Sequence, residues 1–235
     1  MTIESIEALG PGDDVEPIGT VFGEVWGDAE PVVPTELLIA LVHSDNYVAA
    51  ARDNSGQVVA ASVGVRGADL DGAPILHSHV TGVSAKARGS GVGSALKQHQ
   101  RTWAAARHLS AITWTFDPLV RRNAHFNIAH LGAEVTGYRL DFYGEMTDAV
   151  NAGDVSDRLA VRWAVAERET RRIDPTRPVA LVPTPDDVVA LRRADPATVA
   201  EWRARHRREL ATGLDDGAHV VGFSARGDYV LQSDT

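Results

Sequence analysis

The chain has 235 residues, with 32 acidic against 23 basic side chains, a formal net charge of −9, 44% hydrophobic and 23% charged residues, and no cysteine. That is enough chain for one large domain, or for one domain with an extension, and the composition is that of a globular protein. The missing cysteine excludes disulfide frameworks, thiolate metal sites and a cysteine nucleophile, and the acidic balance speaks against non-specific binding to phosphate backbones.

Residues 3–9 make a short apolar start without a basic segment leading into an apolar one, and no apolar run reaches the length of a membrane span. A cytoplasmic protein that meets no membrane is therefore expected. Asp13 and Asp14 are cap candidates for a helix whose one face carries Val15, Ile18, Phe22 and Trp26, and Pro34 and Thr35 open a second helix over 33–45. Two strand-like runs in 46–67 are separated by Asn54, Ser55 and Gly56, a hairpin signal, and a third strand over 73–83 stops directly before SAKARGSGVGSALK, residues 84–97.

After that stretch Val92, Leu96, His99, Trp103 and Ala106 share a helical face, 110–119 reads as a buried strand closed by Asp117 and Pro118, and a helix over 121–132 stops at Gly132. Two more strands fall in 133–146 and 156–167. The order predicts an α/β (α+β) fold, a mixed sheet with crossover helices after the third and fourth strands of the meander. Residues 168–187 are rich in proline and charge and read as a connection with one short strand. A helix over 196–212 ended by Gly213 and two short strands follow. Residues 1–167 are thus expected as the main domain and 168–235 as a small α/β extension packed on it. Arg203, Arg205, Arg207 and Arg208 read as a solvated helix face, since no aromatic residues interleave them for base stacking, and no nucleic-acid partner is expected.

A glycine-rich turn from a strand into a helix is a candidate anion site, because the first-turn N–H groups lack intrahelical partners and the helix dipole favours negative charge. Three patterns compete for it. The dinucleotide fingerprint begun at Gly89 needs glycine where Ser94 stands, and the Walker loop fails because Gly93 is followed by Ser94 and Lys97 lies a full turn further on. The third, [RQ]-x-x-G-x-[GA], is met by Arg88, Gly91 and Gly93.

With this motif between a strand and a helix, the chain resembles the GNAT superfamily of acyl-CoA-dependent N-acyltransferases. The similarity is best to a branch of predicted acetyltransferases carrying WTFDPL and RNAHFN, here Trp114 to Leu119 and Arg122 to Asn127. The resemblance implies a mostly antiparallel central sheet splayed between its fourth and fifth strands, with flanking helices. It implies acetyl-CoA or another acyl-CoA as co-substrate, its pyrophosphate cradled by backbone groups of Arg88, Gly89, Ser90, Gly91, Val92, Gly93 and Ser94. It also implies that Val83 and Ala85 bind the pantetheine arm and that the Val83 N–H stabilises the oxyanion.

Acyl transfer to an amine needs a neutral amine, a stabilised oxyanion and a proton for the departing thiolate. Without cysteine an enzyme-bound thioester cannot form, so direct attack in a ternary complex is expected. Family members often carry a glutamate base on the strand before the loop. Here His77 and His79 stand on that strand, two apart and so on one face. The family's tyrosine acid lies four residues before the glycine that ends its helix, and that position is Ile128. Substitutes are Tyr138, the first choice, Tyr143, His125 and His130. Asn123 and Asn127, four apart on one helical face, are candidates to bond the pantetheine or adenosine, or to serve only the helix. Asp117 is a candidate for the amine or a plain turn former. No cluster has metal-ligand spacing, so no metal is expected.

The reading is an acetyl-CoA-dependent N-acetyltransferase acting on a small-molecule amine, with a homodimer as an open alternative to a monomer. Two alternatives stay open: a non-catalytic protein that holds acyl-CoA or CoA on the same fold, and an interaction protein whose glycine loop binds nothing.

Overall fold

The computed structural model describes residues 2–27, 31–144, 154–166 and 173–233. The chain divides into two units, Met1–Thr113 and Trp114–Thr235. The expected domain boundary at 167/168 lies outside the described residues.

The first unit holds β1 (Ile3–Ala8), α1 (Glu16–Trp26), α2 (Thr35–His43), β2 (Tyr47–Asp53), β3 (Val58–Ala68), β4 (Pro74–Val83), a 3-10 turn (Ala85–Ala87), α3 (Val92–Ala106) and the start of β5 (Ala111–Phe116). Its strands run in the order β1-β2-β3-β4-β5. The first four pair antiparallel, and β4 and β5 pair parallel. A parallel neighbour cannot be reached by a hairpin, so the chain crosses over through α3. The mostly antiparallel sheet with helices is the expected architecture.

The predicted apolar face of α1 is buried: Ile18 and Phe22 are 1% and 2% exposed and pack with Leu38 of α2 and with Val48, Ala61 and Val63 of the sheet. Full burial of such side chains stabilises by about 1.5–3 kcal/mol each. The N-cap is Val15 and not one of the two aspartates: Asp14, one residue earlier, accepts the Glu16 N–H at 3.0 Å, and Asp13 accepts the Gly10 N–H at 2.7 Å. Gly82 is required by the same packing, because a Cβ there would stand 2.9 Å from the Phe22 ring. The β2–β3 turn forms where Asn54–Gly56 predicted it, with Gly56 at φ +81° and Asp53 Oδ1 accepting the Ser55 and Gln57 N–H groups.

The second unit carries the rest of β5 and α4 (Arg121–Ala124), which passes into a π-helical turn at His125–His130. Next come β6 (Glu134–Arg139) and β7 (Arg158–Ala164), an antiparallel pair, then β8 (Ala180–Pro183), α5 (Val188–Ala194), α6 (Pro196–His206), α7 (Thr212–Asp215), β9 (Ala218–Phe223) and β10 (Asp228–Ser233). A π-helical turn at Arg207–Ala211 joins α6 to α7, and β8-β10-β9 form a three-stranded antiparallel sheet.

Three sequence expectations change here. The helix over 196–212 continues through Gly213 to Asp215 and gives way at Gly217, φ +89°. Gly213 serves close packing instead, since a Cβ would lie 3.0 Å from Leu231. Helix α5 was missed between the connection and the helix expected at 196–212; its signal was Asp187, which caps it by accepting the Ala190 N–H at 3.0 Å. Of the four arginines read as a solvated face, Arg208 is exposed and Arg205 and Arg207 are half-exposed, but Arg203 is not. Arg203 is 3% exposed and binds Asp117 through both terminal nitrogens at 2.7 Å, and Asp154 at 2.6 Å. Arg205 pairs with Glu209, and Arg207 with the buried Asp157.

Candidate active site

Strand β4 pairs parallel with β5 from Ile75↔Ala111 to His77↔Thr113 and runs on to Val83 along β3. Which backbone groups face away from β3 follows from ladder alternation. The Ser84 N–H donates to the Val59 carbonyl at 3.0 Å, and Val83 is level with Ala60. Neighbouring residues of an antiparallel ladder point their N–H groups to opposite edges, so Val83, and Thr81 two before it, turn theirs away from β3. This is the edge on which a strand-like ligand arm would pair.

The same strand holds a β-bulge. Val63 is level with Val80 but Gly64 with Ser78, which leaves His79 without a partner on β3. The bulge inverts the alternation beyond it: Ser78 and Thr81, three apart, both reach side chains tied to α3. His77 is half-buried, with Nδ1 3.4 Å from Thr113 Oγ1, and His79 is exposed. The protein packed around the rings lowers both pKa values below the ordinary 6.5, with a further push on His77 from His79 and Lys97, so both imidazoles are neutral at neutral pH.

From Val83 the chain enters the 3-10 turn and the glycine loop. Gly89 and Gly91 have φ of +77° and +84°, left-handed values that a side chain disfavours, and Gly91 is the N-cap of α3. The loop spends three of its own donors, the Arg88 N–H on Ala85, the Ser90 N–H on Ala87 and, at 3.4 Å, the Val92 N–H on Ser90 Oγ. What this leaves of the expected cradle centres on Gly89, Gly91 and Gly93. The Arg88 side chain is exposed beside it.

Gly93 tests whether this loop fits an acyl-CoA pyrophosphate. Its φ is not positive, and an added Cβ would meet only Val83 Cγ2 at 3.9 Å, an ordinary contact. Alanine would fit the fold and favour the helix by about 1 kcal/mol, so the folded chain does not explain this glycine. A glycine there leaves the helix N-terminus open to close approach by an anion. A second sign is Ser84, whose Oγ is buried without a hydrogen-bond partner among the described residues.

Sequence reading missed the buried polar groups behind β4. Lys97 Nζ lies 2.9 Å from Ser78 Oγ and 3.3 Å from Gln100 Oε1, and burial pulls its pKa down to about 7. The available signal was position, since Lys97 and Gln100 fall between Leu96 and Trp103 on the apolar face of α3.

The second unit holds the remaining candidates. Tyr138 is buried and donates its hydroxyl to Asp157 Oδ2 at 2.9 Å; burial first, then that carboxylate, raise its pKa far above the ordinary 10. Asn127 Oδ1 accepts the Trp114 indole N–H at 3.2 Å, and Asn123 is half-buried on the first turns of the same helix. Tyr143 OH is 3.2 Å from Thr115 Oγ1, Ile128 is buried, and His130 stacks on Phe126. Asp117, 6% exposed, is held by Arg203 and Arg192 and by the Leu119 N–H, which leaves no room for an amine. Among the described residues no group of three acidic, histidine or cysteine side chains is placed to hold a metal ion, and no helix is long and apolar enough to cross a membrane.

No family model matches the sequence, and neither does any curated protein. Solved structures do. The ribosomal-protein-S18-alanine N-acetyltransferase of Escherichia coli is 14% identical with a TM-score of 0.52, over 72% of this chain and 99% of that one. A GNAT family acetyltransferase from Streptococcus pneumoniae is 14% identical with a TM-score of 0.53, over 68% and 98%. One from Elizabethkingia anophelis, with acetyl-CoA bound, is 13% identical with a TM-score of 0.51, over 68% and 97%. At such identities the likeness is one of fold, and it agrees with the strand order, the parallel β4/β5 pair and the loop between β4 and α3: the chain has the fold of the GNAT acetyltransferases.

Proposed function

We propose that the protein is an acyl-CoA-dependent N-acyltransferase, with acetyl-CoA as donor and a small-molecule amine as acceptor, working by direct attack. The observation that carries this is the turn of the Val83 N–H away from β3, a few residues before a glycine loop whose Gly93 the fold does not require. In this reading Gly89, Gly91, Val92, Gly93 and Ser94 hold the pyrophosphate with Arg88 as a charge-assisted partner, and Val83 and Ala85 hold the pantetheine arm. The Val83 N–H donates to the carbonyl oxygen that gains charge as the amine attacks, an interaction whose loss typically costs about 10²–10³ in turnover.

His79, neutral and exposed, takes the proton of the attacking amine, with His77 behind it. The same proton is the one the departing thiolate needs, so His79 serves both steps; Tyr138 becomes the acid only if its bond to Asp157 opens. Asn123 and Asn127 are assigned to the donor side. Residues 1–167 form the catalytic core and 168–235 the extension, in line with structural likenesses that cover 68–72% of the chain. The protein is read as cytoplasmic.

Calorimetric titration with acetyl-CoA, followed by thiol release across a panel of amines, tests this; no binding at millimolar ligand sinks it. A second reading, an acyl-CoA-binding protein without turnover, is favoured by the buried Ile128 where the family places its acid and by the engagement of Tyr138. Binding without thiol release from any amine would select it.

A further inference from the structure

On the α3 face of the sheet in the first unit, buried side chains form a bridge that begins and ends on β4. Ser78 Oγ accepts from Lys97 Nζ at 2.9 Å, Lys97 reaches Gln100 Oε1 at 3.3 Å, Gln100 Nε2 makes a long contact to Ser62 Oγ at 3.5 Å, and Ser62 Oγ meets Thr81 Oγ1 at 2.8 Å. Between the two anchors lies the bulge at His79. Lys97 and Gln100 are 6% and 0% exposed.

Placing a lysine in this core is costly, and burial has pulled its pKa down to about 7. An apolar side chain of similar length would fill the space at lower cost, so the bridge is not there for stability. What it supplies is registration. His79 has no partner on β3, so the ladder alone does not fix where the strand turns over. The bridge clamps both sides of that point to α3, the helix that begins at the glycine loop.

We propose that Lys97 is a positioning residue for acyl transfer: through Ser78 on one side of the bulge, and Gln100, Ser62 and Thr81 on the other, it fixes His79 and the outward N–H groups of Thr81 and Val83 against the glycine loop. The assignment rests on the reading of that edge as the thioester site. The bridge itself is independent of that reading.

The test uses the full chain with Lys97→Met, which removes the donor, Lys97→Gln, which keeps one, and Ser78→Ala, which removes the acceptor. Expected for Lys97→Met are an acetyl-CoA Kd within threefold of wild type, a kcat at least tenfold lower and recovery of most of it in Lys97→Gln. Ser78→Ala gives a similar loss, and the double variant is no worse than either single one. Wild-type kcat in Lys97→Met, or additive losses in the double variant, would overturn the proposal. Amide hydrogen exchange without ligand decides the matter even if no acyl transfer is found. Protection at Val80 and Gly82, whose N–H groups face β3, falls at least tenfold relative to Leu76 in Lys97→Met, or in Ser78→Ala should the first variant fail to fold, and unchanged protection refutes the clamp.

Discussion

The two units treat buried polar groups in opposite ways. In the second unit every buried charge named above meets its opposite: Asp117 and Asp154 share Arg192 and Arg203, and Asp157 takes Arg207 along with the Tyr138 hydroxyl. In the first unit Lys97 bonds the neutral Ser78 and Gln100 and burial pulls its pKa down to about 7, His79 sits on a bulge, and the Ser84 hydroxyl has no hydrogen-bond partner among the described residues. Saturated charge holds a structure in place. Incompletely compensated polarity costs stability and survives where something other than stability is needed.

The comparison is broken most directly by Asp117→Ala. It leaves two buried guanidinium groups with Asp154 as their one shared carboxylate, and urea unfolding is expected to show a loss of about 3–5 kcal/mol. A loss under about 1 kcal/mol would mean that these pairs do not hold the second unit.

Lys97→Met is expected to have the opposite sign at neutral pH. The ordinary lysine pKa is 10.5 and the folded value about 7, so between these the unfolded chain binds more protons and wild-type stability rises with pH. Relative to wild type, Lys97→Met should gain about 2–4 kcal/mol at pH 7, at about 1.4 kcal/mol per pKa unit, and the gain should shrink as pH rises and vanish only above the ordinary lysine value of 10.5. A difference that stays flat with pH would remove Lys97 from the titrating groups.

The next effect separates the glycines within the loop. Gly93→Ala should leave the protein as stable as before or about 1 kcal/mol more so while weakening acetyl-CoA at least tenfold. Gly91→Ala, at a positive φ, should cost about 1 kcal/mol or more in stability as well. Calorimetry and thermal unfolding together read both, and full affinity in Gly93→Ala would show that no phosphate approaches that turn.

The smallest effect is in pH dependence. The His79 pKa lies below 6.5, so the basic form is present above that value and the acidic limb of kcat/KM falls below it. His79→Ala should lower turnover about tenfold or more at neutral pH, and by less at high pH, where the amine is already deprotonated. A loss independent of pH would count against a base there.

Much of the fold was legible in the sequence because its signals are local. The face Val15, Ile18, Phe22 predicts α1 by spacing alone, Asn54–Gly56 predicts the hairpin by turn chemistry, and Gly91 sits where a left-handed cap is needed. The arginine-to-glycine spacing of the loop was likewise enough to discriminate among phosphate patterns.

What the sequence could not determine depends on partners far apart in the chain. Asp117 and Arg203 are 86 positions apart, and only the tertiary structure makes one neutralise the other, taking Arg203 out of an apparently solvated arginine face and into the core. The bulge at His79 exists only as a mismatch of register between β3 and β4, and α3 Lys97 takes on meaning only once Ser78 lies 2.9 Å away. Helices, turns and loop motifs are written in the conformational preferences of neighbours, whereas ionisation, burial and register are set by whatever folding brings alongside.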